Sequence, residues 1–262
     1  MISVIIPAYN CEKYIRQAVE SALKQVVETD VEILVIDDCS TDGTKHAVQE
    51  LIRKNEERKK NPSEKNRHNH AREILYLCNK KNLGVAETRN KGIRKARGNY
   101  LAFLDGDDWW DREKLQKQLE LIQKEDAVLV YSGRELMQPL GGSTGKVIHV
   151  PGTATYKSLL RTNCIPCSSV LMKTKAAREF YMCHDELHED YILWLKVLQK
   201  YGTAYGIDEP LLKSRLSQGG KSRNKLKSAK MHYGVYKYMG IPWWKAVWLF
   251  LCYALNGVRK YR

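Results

Sequence analysis

The chain has 262 residues, 43% of them hydrophobic, enough to bury the core of one large domain with a smaller appendage and too many for a disordered segment. Its seven cysteines are scattered and odd in number, which argues against a disulfide framework and for reduced thiols in a cytosolic protein. The net charge of +14 is concentrated in residues 213–262, which hold twelve Lys and Arg and no Asp or Glu, so the body is close to neutral and an anionic partner is expected at the tail.

Residues 2–9 form an almost continuous apolar run containing Pro7, which reads as a core strand, so no signal peptide is expected. Helical spacing follows at Ile15, Val19, Ala22, Leu23 and Val26. Residues 31–36 are a second apolar run ending in Asp37-Asp38, after which Ser40 or Thr41 is expected to cap a helix carrying Ala47, Val48, Leu51 and Ile52. Polar and charged residues dominate 53–72. A solvated helix end with a loop is expected there, because a second nucleic-acid surface would need aromatic side chains to stack bases. A third run, 74–78, leads through Asn82-Leu83-Gly84 into a helix over 86–96. A fourth, 100–104, ends in Asp105-Gly106-Asp107-Asp108 and precedes a helix over 112–124, with a fifth strand at 128–131. Apolar strands alternating with helices predict a parallel sheet covered by helices. Farther on, residues 141–145 read as a loop or hairpin turn, Tyr156–Arg161 as a short helix and 168–173 as a strand. Residues 191–201 spell an amphipathic helix with Ile192, Leu195 and Leu198 on one face.

Ligands of open parallel sheets bind beyond the carboxyl ends of the strands. Three such ends stand out here: Pro7-Ala8-Tyr9-Asn10, Asp37-Asp38 and Asp105-Gly106-Asp107-Asp108. A tyrosine can stack on a planar ring, and an aspartate can accept hydrogen bonds from a base or ribose. Three crowded carboxylates repel one another unless a cation holds them. Such an oxygen-only cluster suits Mn²⁺ or Mg²⁺ left partly open for phosphates. The set describes a pocket for a nucleoside diphosphate derivative, although Asp37-Asp38 can equally be helix-capping acids. The sequence has no Gly-x-x-x-x-Gly-Lys-Ser/Thr loop, and no Gly-x-Gly-x-x-Gly follows the first strand, so the phosphates are expected to be held by metal.

In order, Val4-Ile5-Ile6-Pro7-Ala8-Tyr9-Asn10, Val35-Ile36-Asp37-Asp38, Asn82-Leu83-Gly84 with Arg89-Asn90-Lys91-Gly92, and the segment ending in Asp105-Gly106-Asp107-Asp108 resemble family 2 glycosyltransferases. Glu189-Asp190 before a helix containing Trp194 continues the likeness, and the C-terminal half is similar to enzymes of bacterial capsular, teichuronic-acid and lipopolysaccharide assembly. The resemblance implies an α/β GT-A fold: a Rossmann-like, mostly parallel sheet flanked by helices, with an acceptor-side subregion and a C-terminal helical tail. Residues 1–131 would form the nucleotide-sugar half, 132–212 the acceptor and base half, and 213–262 the basic, Trp-rich tail. It implies that Pro7, Tyr9 and Asp38 line the base and ribose pocket. Asp105 and Asp107 would form the D-x-D element on Mn²⁺ or Mg²⁺, with Asp107 the direct ligand and Asp105 nearer the ribose. Asp190 would be the general base, with Glu189 beside it, and Arg215 would touch the diphosphate. The implied reaction is inverting transfer from a nucleotide-sugar donor, a UDP-sugar favoured, to a lipid-linked or cell-surface glycan.

Other readings stay open on the residues alone. A nucleotidyltransferase or a non-catalytic nucleotide-sugar-binding protein could use the same acidic edge. Cys164 and Cys167 with Cys183, His184 and His188 have partial zinc-ligand spacing. In the tail, Trp243, Trp244, Trp248, Phe250 and Tyr253 flanked by basic residues suit either a helix lying on an anionic membrane surface or one packed on the domain. A position on the inner face of the cytoplasmic membrane follows from the first. No nucleic-acid partner is expected, since Lys221 to Lys230 offer charge without a recognised module.

Overall fold

The structure, a computed structural model, describes residues 1–60, 70–216 and 225–261. Strands β1 (Ile2–Ala8), β2 (Val31–Asp37), β3 (Arg72–Cys78) and β4 (Tyr100–Phe103) run parallel in the order β3-β2-β1-β4. The apolar runs of β1 and β2 are buried on both faces, and alternation sends their side chains into two cores. Ile2, Val4 and Ile6 meet Ala18, Val19 and Ala22 of α1 (Ile15–Leu23) and Val48 of α2 (Thr44–Lys60). Ile5, Leu34 and Ile36 face Ile93 of α3 (Val85–Lys95) on the other side.

The second half departs from a simple parallel continuation. The run expected as the fifth strand opens β6 (Leu129–Met137), but β9 (Leu171–Lys173) lies between β4 and β6, antiparallel to both. Beyond β6 come β10 (Ala204–Arg215), parallel to it, and the short β5 (Trp109–Trp110), antiparallel to β10. β7 (Ser143–Ile148) folds back on β6 as a hairpin, and β8 (Thr153–Ala154) pairs with β10. The turn of that hairpin is set by Gln138 N–H donating to Gly142 O at 2.7 Å, so it takes in the first two residues of the expected 141–145 turn, while Ser143 onward is already strand. β10 has no counterpart among the elements expected from the sequence, and it contains Gly206 and Pro210, residues that disfavour a strand. The strand tolerates them through a register shift between Ile207 and Leu212, where Pro210 need not supply an N–H.

Local corrections are few. The helix expected to be capped by Ser40 or Thr41 begins at Thr44, and Asp42 Oδ1 accepts from both Thr44 N (3.0 Å) and Oγ1 (2.6 Å). The polar stretch continues α2 as a solvated helix to Lys60, and the remainder of that expectation, 61–69, lies outside the described residues.

Helices α4 (Lys114–Lys124), α5 (Tyr156–Arg161), α6 (Thr174–Phe180) and α7 (Glu189–Tyr201) complete the packing around the sheet. Trp194 of α7 is fully buried, its ring 6.1 Å from that of Phe103 at the end of β4. Helices α8 (Lys225–Tyr238) and α9 (Trp243–Tyr261) return against α5 and α7. The buried hydroxyl of Tyr236 in α8 donates to Leu160 O of α5 at 2.7 Å, and that of Tyr191 in α7 to Leu159 O of α5 at 2.9 Å, so both helices are fastened to α5. Among the described residues no helix is long and apolar enough to cross a membrane.

Candidate active site

The carboxyl ends of β1, β2 and β4 share one edge, as the parallel register requires. The loops after β1 and β2 are laced together. Asn10 N donates to Ser40 Oγ (3.0 Å), Thr41 N to Asn10 Oδ1 (2.8 Å), Glu12 N to Asp42 Oδ2 (3.0 Å) and Gly43 N to Glu12 Oε2 (2.9 Å). Asn10 (φ 47°) and Cys39 (φ 64°) sit in left-handed backbone, which costs a non-glycine residue about 1–2 kcal/mol and is offset here by those crossing bonds. Pro7 is the penultimate residue of β1, beneath this lacing, and Tyr9 stands out from it, half-exposed at the mouth.

Asp38 is buried and turns towards the next loop. Its oxygens accept from Asn79 Nδ2 (2.8 Å), Leu83 N (2.8 Å) and Gly84 N (2.9 Å), so it shapes the Asn82-Leu83-Gly84 segment that opens α3. Gly84 itself has φ 83°, and a Cβ there would lie 2.1 Å from Asp185 Oδ2. Asp37 is held beneath by Tyr76 and by Ser40 N.

The Asp105–Asp108 segment is a tight turn closed by Asp108 N donating to Asp105 O (3.1 Å). Gly106 lets it press against the β1 loop, where an added Cβ would sit 3.1 Å from Cys11 Sγ. Burial pushes that Cys11 thiol up to about 12, leaving it an inert packing group. The three acids point to different tasks. Asp108 is buried and accepts from Arg215 N (2.9 Å); burial, then Asp107 and Asp105, raise its carboxyl well above the usual range. Asp105 is paired with Arg89 Nη2 at 2.6 Å, and Asp107 remains half-exposed at the turn.

Arg215 is buried behind this turn rather than open to the strand edge. Its guanidinium lies between the rings of Tyr14 (4.5 Å) and Trp109 (4.7 Å), and it donates to Asp107 O, Pro139 O and Gln17 Oε1. No group of three or more His, Cys, Asp or Glu side chains converges as a metal cage among the described residues, the Cys164, Cys167, Cys183, His184 and His188 set included. The Asp105 and Asp107 carboxylates still fit a hard divalent ion, which takes one or two carboxylates and completes its shell with water and phosphate oxygens.

On the facing side, α7 begins with Glu189 and Asp190, where the helix N-terminus favours negative charge. Arg89 of α3, almost wholly buried, bridges the two halves. Nη1 meets Glu189 Oε1 at 2.8 Å while Nη2 meets Asp105. Burial alone would lower the Arg89 pKa, but Cys167, Asp105 and Glu189 around it hold it well above its ordinary value, so the cation is permanent. Asp190 is raised above the usual carboxylate value by burial and then by Glu189, against the pull of Arg89 and His188. Its Oδ1 accepts from Tyr191 N at 2.7 Å. The approach to α7 is clamped onto α3. Asn90 donates from Nδ2 to Met182 O (2.7 Å) and accepts from Met182 N (2.8 Å), and Asp185 Oδ1 accepts from Ala86 N (3.2 Å). His188 turns the other way, its Nε2 3.3 Å from Ser228 Oγ of α8.

The structure thus brings Asp105, Glu189 and Asp190 around one guanidinium, with Asp107, Pro7 and Tyr9 on the adjoining strand ends. Arg89 and Asn90 entered the sequence reading only as part of a motif. Their pairing partners lie 100 and 92 residues away, so no local pattern assigns them a task.

A family model described as glycosyl transferase family 2 matches residues 3–171. The chain is 36% identical over 99% of its length to Bacillus subtilis (strain 168) TuaG, provisionally named a teichuronic acid biosynthesis glycosyltransferase, and covers 97% of that protein. It is 30% identical over its full length to Escherichia coli WfaP, a UDP-Glc:alpha-D-GlcNAc-diphosphoundecaprenol beta-1,3-glucosyltransferase, covering 95% of it. Among solved structures it superposes on S. aureus TarS 1–349 in complex with UDP-GlcNAc, with a TM-score of 0.66, 21% identity, and coverage of 90% of this chain and 64% of that one. It also superposes on the mannosyltransferase PcManGT from Pyrobaculum calidifontis in complex with GDP-Man and Mn²⁺, with a TM-score of 0.67, 16% identity, and coverage of 91% and 63%. The chain spans just under two thirds of each of those two structures, and the likeness is one of fold.

Proposed function

The chain belongs to glycosyl transferase family 2 and has the GT-A fold, and from that premise we propose that it is a divalent-metal-assisted, inverting transferase that moves a sugar from a UDP-sugar to a lipid-linked or cell-surface glycan. The observation that carries this reading is the Arg89 bridge. One buried cation joins Asp105, on the donor side, to Glu189, the neighbour of the base. Donor and acceptor machinery are thereby held in one fixed relation, which in-line attack demands.

In this reading Tyr9 stacks on the nucleobase, Pro7 walls the pocket, and Asp38 presents the loop that borders base and ribose. Asp105 faces the ribose. Asp107 and Asp105 hold Mn²⁺ or Mg²⁺, which when bound supplies positive charge to the departing diphosphate. Arg215 supports the diphosphate site from behind, through the Asp107 main chain. Asp190 takes the proton of the acceptor hydroxyl as that oxygen attacks the anomeric carbon from the face opposite the leaving group. Burial and Glu189 raise its pKa, which strengthens its carboxylate as a base. Residues 1–131 then form the donor half, 132–212 the acceptor and base half, and 213–262 the tail. What supports a UDP-sugar and a lipid-borne acceptor is the likeness to WfaP, named as a beta-1,3-glucosyltransferase acting from UDP-Glc on alpha-D-GlcNAc-diphosphoundecaprenol. An acceptor of that kind places the enzyme peripherally on the inner face of the cytoplasmic membrane.

The test is Asp190→Asn. Transfer from UDP-glucose should fall by about two to four orders of magnitude, the range a general base contributes. Calorimetric binding of UDP with Mn²⁺ should be unchanged. Loss of UDP binding, or turnover that stays near that of the unaltered chain, would remove Asp190 from the base role. Release of pyrophosphate by the unaltered chain given UTP and a sugar 1-phosphate, with no UDP released from UDP-glucose, would assign nucleotidyl transfer instead.

A further inference from the structure

Helix α9 is bound to the protein by one side only. Ala246 and Leu249 are buried, Asn256 Nδ2 donates to Thr162 Oγ1 at 2.6 Å, and the Tyr253 ring stacks 3.7 Å from that of His232 in α8. The opposite side carries Trp243, Trp244, Val247, Trp248, Leu251 and Leu255, all exposed, with Trp243 at 74%, Trp244 at 63% and Leu255 at 66%. Positions 243, 247, 251 and 255 recur every four residues, so these side chains form one continuous stripe. Trp248 has the Arg161 guanidinium 5.4 Å from its ring centre, but Trp243 and Trp244 left in water on a folded domain are a cost unless something covers them.

The charge around the stripe says what kind of partner fits. Residues 213–262 contain no acidic side chain, and Lys227, Lys230, Lys237 and Lys245 are exposed on α8 and α9. A second copy of the chain docked by the same face would bring two wholly basic helix pairs together, which opposes association. A helix crossing a bilayer is excluded for α9, since one side is already packed on protein and no described helix is long and apolar enough. Indole rings beside lysines match the headgroup layer of an anionic bilayer, where the ring sits at the polar boundary and each basic residue adds about 1 kcal/mol.

We propose that the outward stripe of α9 is a docking surface for an anionic phospholipid bilayer, with the helix lying in the plane of the headgroups; this rests on the reading that the acceptor is lipid-borne. A ring stack ties that surface to the catalytic side. Tyr253 lies on His232 with a 14° angle between planes, and His232 lies 4.9 Å from Tyr191 with a 13° angle. Tyr191 directly follows Asp190 at the start of α7. His232 is held neutral by burial, its pKa pushed down to about 3, so the stack does not charge near neutral pH. Docking at α9 therefore sets the base-bearing helix at one height above the lipid.

The full chain is pelleted with vesicles of phosphatidylcholine containing about 30 mol % phosphatidylglycerol, and with phosphatidylcholine alone. Binding is expected to the anionic vesicles and to weaken as NaCl is raised. The Trp243→Ser/Trp244→Ser variant should lose about tenfold or more in partitioning. Lys245→Glu, which keeps the stripe, should lower binding to the anionic vesicles only. UDP binding with Mn²⁺, read by calorimetry, should be the same in all three proteins. A chain that stays in the supernatant, variants that pellet like the unaltered chain, or equal binding to neutral vesicles would overturn the proposal. So would a dimer, seen by light scattering, that the double variant dissolves. Absence of UDP binding alongside normal vesicle binding would instead fault the catalytic reading and leave the docking surface standing.

Discussion

Removing the Arg89 guanidinium should both destabilise the protein and disconnect its two catalytic sides. The side chains of Arg89 and Glu189 are 5% and 7% exposed, so Arg89→Met strands a buried carboxylate, a loss of about 3–5 kcal/mol. Asp105 is 37% exposed and can rehydrate, so its half of the bridge adds only about 0–1 kcal/mol. A total near 4 kcal/mol in a chain of this size corresponds to a fall in Tm of about 10 °C. The decisive comparison is Arg89→Met/Glu189→Gln. Without the stranded charge it should recover about 2 kcal/mol relative to the sum of the single variants, the coupling expected for residues in direct contact. Arg89→Lys keeps a charge but cannot fork to two carboxylates, so it should fall between them. The assay is thermal unfolding by circular dichroism alongside UDP-glucose turnover. A Tm for Arg89→Met within about 2 °C of the unaltered chain, or strictly additive variants, would refute the bridge as a structural link.

Two further outcomes follow from the same geometry. Because burial and Glu189 raise the Asp190 pKa and only its carboxylate can accept a proton, kcat/KM should rise with pH through that raised value. Glu189→Gln should move this acid limb to lower pH, since a like charge has been removed; a limb that stays or moves upward would discard Glu189 as the cause. Asp107→Ala should weaken UDP binding with Mn²⁺ by about tenfold or more while leaving metal-free binding nearly unchanged, and calorimetry showing equal metal dependence would discard Asp107 as a ligand.

The donor half was legible because continuous apolar runs ending in polar groups leave little choice of element or edge. β1, β2, β3 and α3 fall within a few residues of their expected bounds. The second half was harder for two physical reasons. The three residues of β9 carry no signal of direction, yet its antiparallel insertion between β4 and β6 decides the neighbour of each. β10 hides its strand character behind Gly206, Pro210 and a register shift. In the site, the acids at 105 and 107 stand out by type and position, those at 189 and 190 only through the family resemblance, and the partners of all four are silent in the sequence. A buried arginine on a helix reads as an ordinary surface residue until the chain returns a hundred positions later. For Arg215 the family resemblance implies a diphosphate contact, while the fold stacks it between Tyr14 and Trp109.

The clamp of Asn90 on Met182 grips main-chain atoms at both ends of one amide side chain. The path of the segment leading into α7 is therefore dictated by a residue outside it, while His184 and Glu186 within it face solvent. Such a segment can change its exposed residues without moving the acids at the helix start. Divergence in acceptor preference among relatives would then be cheap in evolutionary terms: substitutions accumulate on a loop whose course is inherited from the donor half.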